Sequence, residues 1–386
     1  YLDPYATGDN YMDMSAITPS TMQLNRLKWE TTTEYNTGLD ASFLKGKLRF
    51  TVDVYQKYIK DLLQKKVKMP TSIGYGNGYE VSYMNSGKMT NKGWEFRVDA
   101  VPFENRDWRV GFYFNIAHNE NKITEMPDNY TEENYTFNNG EYAYRREEGR
   151  PMGSFYGYRY KGVCQNKDAT YARDADGNVM KDISGNAIVM RNGTATIAPG
   201  DALYEDINHD GVINQYDIVY LGNSNPRFTG GAGVNVSYKQ FKLSAIFYGR
   251  YGQDVVNSTR LNNESMRGID NQSTAVLRRW RNEGDQTDIP RALYGEGYNT
   301  LGSDRFVEDA SYLRLKSLSF NYRLPKKIIQ RWGFSNIDVY VTGYNLFTWT
   351  KYTGQDPEVK TENTYARDSA TTPASIQLVA GFNLSF

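Results

Sequence analysis

Oxygen-bearing side chains recur at two-residue spacing through Asp206-Ile207-Asn208-His209-Asp210-Gly211-Val212-Ile213-Asn214-Gln215-Tyr216-Asp217. Asp206, Asn208 and Asp210 occupy positions 1, 3 and 5 of an EF-hand-type loop, with Gly211 at 6, an apolar residue at 8 and a carboxylate at 12. Calcium takes six to eight hard oxygen ligands. Asp206, Asn208, Asp210, the Val212 carbonyl and Asp217 could supply them, with Asn214 acting through water. Asp217 stands where such loops usually carry a bidentate glutamate, which shortens the reach to an ion. The same residues also suit an Asp/Asn/Gly-rich turn whose side chains bond their own backbone, and the sequence leaves both readings open. Either role is structural, the bracing of a long loop, with His209 pointing away.

Other stretches carry weaker chemical signals. Gly74-Tyr75-Gly76-Asn77-Gly78 resembles a phosphate loop only superficially, since no Lys-Ser/Thr ending follows it, and it reads as a flexible loop. Arg278-Arg279-Trp280-Arg281 reads as a short helix: either a cation-rich aromatic patch for an anionic sugar or a lid protein, or a solvated face with a buried Trp. Phe155, Tyr156, Tyr158 and Tyr160 suit sugar stacking, or the wall and interface girdle of a membrane barrel. For catalysis only His118 and His209 exist, neither near Cys164 or a serine motif in sequence, so no enzyme is expected. One cysteine excludes an internal disulfide framework.

The elements that must carry these residues are strands. Hydrophobic residues make up only 39% of the 386, yet there are 32 Tyr and 17 Phe, which suits much polar surface and many amphipathic rings. The 45 basic and 45 acidic residues cancel, so nothing recommends nucleic acid. No apolar run reaches the length of a transmembrane helix, but barrel strands hide their hydrophobicity in alternation. Tyr1-Leu2-Asp3-Pro4 lacks the basic and apolar segments of a signal peptide, so the amino terminus of the whole protein is expected elsewhere.

Period-two alternation marks strands at 33–43, 48–55, 94–100, 108–117, 228–238, 241–247, 311–324, 337–341 and 376–386. Weaker patterns at 142–146 and 154–161 bring the expected count to eleven. A phase change in 311–324 asks for a bulge near Lys316-Ser317. Residues 1–30 read as a loop. Short turns at 45–46, 104–106, 149–151 and 239–240, with a short helical connector at 325–334, alternate with long loops at 61–86, 122–140, 162–226, 253–304 and 350–373. That alternation is the mark of an up-and-down barrel with one elaborated rim. Single-chain bacterial barrels have even strand numbers, so eleven reads as part of a barrel whose other strands lie outside these residues.

Several stretches resemble the carboxy-terminal half of the SusC/RagA family of TonB-dependent outer-membrane transporters of Bacteroidetes. They are Leu27 to Asp40, Asp53 to Lys57, Asn91-Lys92-Gly93-Trp94-Glu95, Gly153-Ser154-Phe155-Tyr156-Gly157-Tyr158, Tyr312 to Lys316, Gly343-Tyr344-Asn345-Leu346-Phe347-Thr348 and the terminal strand. The resemblance implies an all-β, antiparallel transmembrane barrel of about 22 strands, with long extracellular loops, 162–226 holding the EF-hand-like segment. It further implies a plug and a segment contacting TonB-ExbB-ExbD outside this sequence, and a SusD-like surface lipoprotein. The implied activity is import of a nutrient oligomer, a glycan before an oligopeptide, without covalent chemistry. Glu95, Arg97 and Asp99 would then line the lumen or meet the plug, Phe96 and Val98 would face lipid, and Phe386 would be the aromatic that assembly machinery reads. The competing reading is a soluble, secreted carbohydrate-binding β-protein with a calcium-braced loop, which would fold alone in plain buffer.

Overall fold

The computed structural model describes the chain apart from residues 1–4, 12–13, 20–26, 69–79, 86, 127–136, 145, 296 and 363–364, so Gly74 to Gly78 lie outside the described residues. Its main element is one continuous antiparallel sheet. The strands are β1 (Thr31–Phe43), β2 (Leu48–Lys60), β3 (Lys88–Glu104), β4 (Trp108–Glu125), β5 (Phe228–Tyr238), β6 (Phe241–Tyr251), β7 (Tyr312–Arg323), β8 (Asn336–Thr350) and β9 (Gln377–Ser385). Each pairs with its neighbours in sequence, which is the meander of an up-and-down barrel wall.

Register turns the alternation of each strand into continuous rows. Phe50 faces Val98, and the row continues through Phe114, Ala232, Phe247, Leu315 and Phe347. One residue further along, Thr51 faces Arg97, followed by Asn115, Gly231, Tyr248, Arg314 and Thr348. Successive side chains in a strand point to opposite faces, so one face is apolar across seven strands and the other polar. Phe96 and Val98 thus share the outer face, and Glu95, Arg97 and Asp99 the inner one, as the alternation predicts.

Aromatic pairs mark both ends of the apolar face. At the short-turn end Trp108 meets Tyr238 with ring centres 4.3 Å apart, and Phe241 meets Tyr322 at 4.7 Å. At the other end Phe228 stacks on Tyr251 at 6.4 Å and Phe247 on Trp349 at 6.5 Å. The ten steps from Phe228 to Tyr238 span ~33 Å of strand, or ~25 Å across a membrane at a tilt of ~40°. That is the height of an outer-membrane apolar band.

Nine strands form the wall, two fewer than the eleven expected. The segments at 142–146 and 154–161 are not in it: Ser154–Gly157 pairs with Val219–Asn223, Ala143 bridges to Tyr156, and Tyr160–Val163 pairs with Ala202–Tyr204. All four residues of Ser154–Gly157 are buried, whereas a wall strand gives one face to lipid. Without them, short connections at 44–47, 105–107, 239–240 and 324–335 still alternate strictly with long ones at 61–87, 126–227, 252–311 and 351–376. Lys45-Gly46 is part of a four-residue connection, with Leu44 and Lys45 at φ of 54° and 58°. The connector after β7 is helical at Lys326–Ile329, and the bulge appears where expected, since the register skips Lys316. Residues 1–30 are not all loop, because Tyr5–Tyr11 pairs with Met14–Pro19.

Three tyrosines of the inner face each lie over a glycine directly opposite: Tyr55 over Gly93, Tyr113 over Gly233 and Tyr340 over Gly381. A Cβ at Gly233 would stand 2.0 Å from Cε1 of Tyr113. The ring covers the bare backbone, a device that pins register in curved sheets.

The closely packed core is not in the wall. It lies in the long connections, around Tyr156, Tyr158, Tyr204 and Leu301, around Phe155, Leu261 and Phe306, and around Val255 and Tyr352. These connections make a folded cap on the long-loop rim.

Candidate functional site

The cap carries the EF-hand-like loop, and its side chains are bonded to the loop's own peptide groups. Asp206 accepts the Gly211 amide at 2.8 Å, Asn208 Oδ1 accepts the Asp210 amide at 3.2 Å, and Asp210 accepts the Val212 amide at 2.8 Å. Asp217 accepts the Ile207 and Asn214 amides, both at 2.8 Å. The Asn214 side chain caps the turn at Tyr216 and donates to the Val212 carbonyl at 3.1 Å. His209 and Gly211 supply the left-handed backbone that the tight turn needs, with φ of 57° and 82°. Burial, reinforced by Asp206, pushes the Asp217 carboxyl above the ordinary carboxylate range despite its two amides. The six residues expected to bind a metal do share one loop. No cluster of three His, Cys, Asp or Glu at metal-binding separation occurs among the described residues. The self-bonded turn is therefore the arrangement the structure holds.

The aromatic run belongs neither to the membrane girdle nor to an open sugar platform. Phe155, Tyr156 and Tyr158 are buried cap core, with Tyr156 donating to Glu147 at 2.9 Å. Burial pushes the Tyr160 phenol up to about 12, while its hydroxyl donates to the Asp288 carbonyl at 2.8 Å. Near the basic run, Thr274–Arg278 is a 3-10 turn. Trp280 packs on Gly200, where a Cβ would meet its ring at 2.3 Å, whereas Arg278 is exposed.

The polar features with open access are elsewhere. Along the inner wall, Arg97 holds Asp99 through two bonds of 2.7 and 2.8 Å, Asp40 accepts from Thr51 at 2.6 Å, and Ser319 meets Thr342 at 2.8 Å. Where this wall meets the cap, Arg314 is nearly fully buried and reaches Thr348 at 2.9 Å, Glu358 at 2.8 Å and Asp356. Burial alone would raise the Asp356 carboxyl, but the Ala374 and Glu358 amides and Arg314 hold it below the usual range. A polar cavity of about 490 Å³ opens beside it, between the β6–β7 and β8–β9 connections. Arg260 bridges Glu264 at 3.0 Å and Glu308 at 3.3 Å on its edge, and Arg305 joins Glu264 at 2.8 Å.

Sequence reading missed this network. Arg, Asp and Glu in a loop look alike whether solvated or paired, and, Arg260–Glu264 aside, the charged partners here lie 41 to 48 residues apart. Among the described residues neither histidine nor the cysteine joins a catalytic grouping: His118 Nδ1 meets the Arg227 carbonyl at 2.6 Å, and Cys164 is buried against the Asn166 carbonyl.

A nine-stranded meander, apolar outside and polar inside, with one elaborated rim, is the architecture that comparison with known proteins must explain. Residues 3–346 match the family described as "TonB dependent receptor-like, beta-barrel". The chain belongs to that family. Among curated proteins it is similar to TonB-dependent receptor P3 of Formosa agariphila, 32% identical over 349 residues, 88% of this chain and 32% of that protein. It is similar to TonB-dependent receptor SusC of Bacteroides thetaiotaomicron, 27% identical over 392 residues, 99% of this chain and 34% of SusC. A solved structure of the RagAB peptide transporter superposes with a TM-score of 0.71 at 26% identity, over 100% of this chain and 39% of that one. The "open-open" state of the RagAB peptide importer gives 0.72 at 25%, covering 100% and 38%.

The chain spans about a third of the length of the curated relatives it matches. It is part of a SusC/RagA-type outer-membrane barrel, of a family of transport receptors rather than enzymes. The soluble, secreted alternative falls on the same ground, with the aromatic-bounded apolar band as its physical counterpart.

Proposed function

We propose that the whole protein to which this chain belongs imports a polar nutrient oligomer, a glycan before an oligopeptide. Energy would come through TonB-ExbB-ExbD, with a SusD-like lipoprotein over the cap. The reading is carried by the inner row Thr51-Arg97-Asn115-Gly231-Tyr248-Arg314-Thr348, a polar track joining the wall to the cap cavity. Tyrosine rings lying along that wall at Tyr55, Tyr113 and Tyr340 favour a glycan, because a sugar's apolar face packs on an aromatic one. The name of the RagAB structure keeps peptide as the second candidate. This chain's own part would be positioning, through hydrogen bonds along the track and a closed wall that excludes lipid.

Loop 206–217 is proposed as a structural calcium site. Its ladder of oxygen-bearing residues supports this, and binding would draw Asp206, Asp210 and Asp217 together from their present spacing.

The test of import is native mass spectrometry of the full-length receptor purified with its lipoprotein from its own host. A co-purifying sugar oligomer, lost when residues of the track are replaced, is the expected result. A co-purifying peptide selects the second candidate, and an empty receptor whose deletion leaves uptake of every oligomer unchanged defeats the proposal.

A further inference from the structure

The cap cavity has a division of labour among its polar groups. Its floor is spoken for: Glu264 is held by Arg260 and Arg305, Asp356 by Arg314, and Asn257 donates to Glu308 at 3.1 Å. Asp368 accepts the Tyr352 hydroxyl at 2.7 Å and the Ala370 amide at 3.0 Å. Its mouth differs. Asn263, Arg278, Gln355 and Thr371 line it and are exposed, and among the described residues their side chains make no hydrogen bond or ion pair. The mouth therefore offers one uncommitted cation, two carboxamides and a hydroxyl.

We infer that this cavity is a capture subsite for an acidic oligomer, binding a carboxylate on Arg278 at the mouth and hydroxyl or amide donors toward the floor. The inference rests on the import reading and narrows its substrate class. Arg presents a planar fork of donors that matches a carboxylate at two points, and among the described residues Arg278 makes no ion pair. Among the described residues Asp368 carries no ion pair, so it repels an acid driven to the floor and accepts a donor there. These two charges fix which end of the ligand enters first. About 490 Å³ is room for a few residues of an oligomer, not for a whole chain, so the rest extends over the cap.

The acid could sit on a sugar or on a peptide, and the test separates these carriers. The full-length receptor with its lipoprotein is titrated calorimetrically with trigalacturonate and with neutral maltotriose. N-acetylated Gly-Asp-Gly amide and its Gly-Asn-Gly counterpart form the second pair. The acidic member of one pair is expected to bind about tenfold more tightly than its neutral partner. Arg278→Gln removes that preference, Arg278→Lys keeps part of it, and Gln355→Ala weakens both members alike. The pair that shows the preference names the carrier. Equal binding within both pairs, no binding by either acid, or a preference surviving Arg278→Gln overturns the inference. Uptake of the preferred acid in cells with and without TonB keeps the two readings apart. TonB-dependent uptake indifferent to Arg278 sinks this inference alone, and uptake independent of TonB sinks the import reading.

Discussion

Arg291 grips Asp201 with both ends of its fork, Nε to Oδ1 at 2.7 Å and Nη2 to Oδ2 at 3.1 Å, across 90 residues of sequence. The pair joins the connection before β5 to the one before β7, so two loops become one cap. Asp201 also takes the Ala198 amide at 2.8 Å and the Asn299 side chain at 3.2 Å, which leaves its charge buried and fully engaged.

Arg291→Leu strands that buried carboxylate. The Arg side chain is itself about one-third exposed (36%), which discounts the pair, so a loss of about 2 kcal/mol is expected. Limited proteolysis of the full-length receptor reads this as cap cleavage about 30-fold faster. Heat-modifiable mobility of the barrel stays unchanged. Unaltered cleavage means the two loops are held by something else.

Calcium and protons should compete at Asp217. Its folded carboxyl sits above the ordinary range because it is buried, so ionisation costs the metal-free loop stability. That cost is present at neutral pH and relieved as pH falls through the raised value, giving a gain on acidification that Asp217→Asn abolishes. Calcium needs the ionised form, so its affinity falls over the same change. Calcium at about a hundred times its Kd adds about 2.7 kcal/mol to the cap at neutral pH. Asp206→Asn with Asp210→Asn should remove this gain. Melting curves of the cap with calcium and with chelator decide the matter, and identical curves end the calcium proposal.

Cys164 should be inert while the cap is folded. It is buried with its thiol donating to the Asn166 carbonyl at 3.3 Å, and burial pushes it from 9.0 up to about 11. The thiolate is the nucleophile, so little exists at neutral pH. A raised folded value favours the neutral thiol, and the stability this contributes disappears as pH rises from about 9 to about 11. Alkylation of the native receptor should be undetectable and become rapid after heating in detergent. Rapid labelling of the unheated protein contradicts the packing.

The wall was readable in the sequence and the cap was not. Strands such as Trp94 to Ala100 obey a two-residue rule imposed by one lipid face and one aqueous face, so each strand announces itself locally. Phe155, Tyr156 and Tyr158 alternate similarly, but their partners Val219 to Asn223 lie over 60 residues on and bury both faces. Nothing local separates such a segment from a wall strand. The EF-hand-like spacing was fully legible because a tight loop closes on itself. The Arg260, Glu264, Arg305 and Glu308 network was not, because only its Arg260–Glu264 pair spans a single helical turn and the fold alone brings Arg305 and Glu308 to them.

Gly233 and Tyr113 give the sharpest test of how the wall is assembled. They are direct cross-strand partners, and the space a side chain would fill at Gly233 already holds the Tyr113 ring. Gly233→Val must push that ring into the lumen and expose the backbone it covers, so folded barrel is expected to fall sharply in a heat-modifiability assay of the full-length receptor. Tyr113→Ala alone leaves Gly233 bare and should cost about 1 kcal/mol, within the range of a single cross-strand pair. Combining Gly233→Val with Tyr113→Ala replaces one covering group with another. If steric exclusion is the cause, the double variant assembles better than Gly233→Val, a coupling that independent sites would not show. Additive losses would mean that the glycine serves backbone curvature instead of making room for the ring.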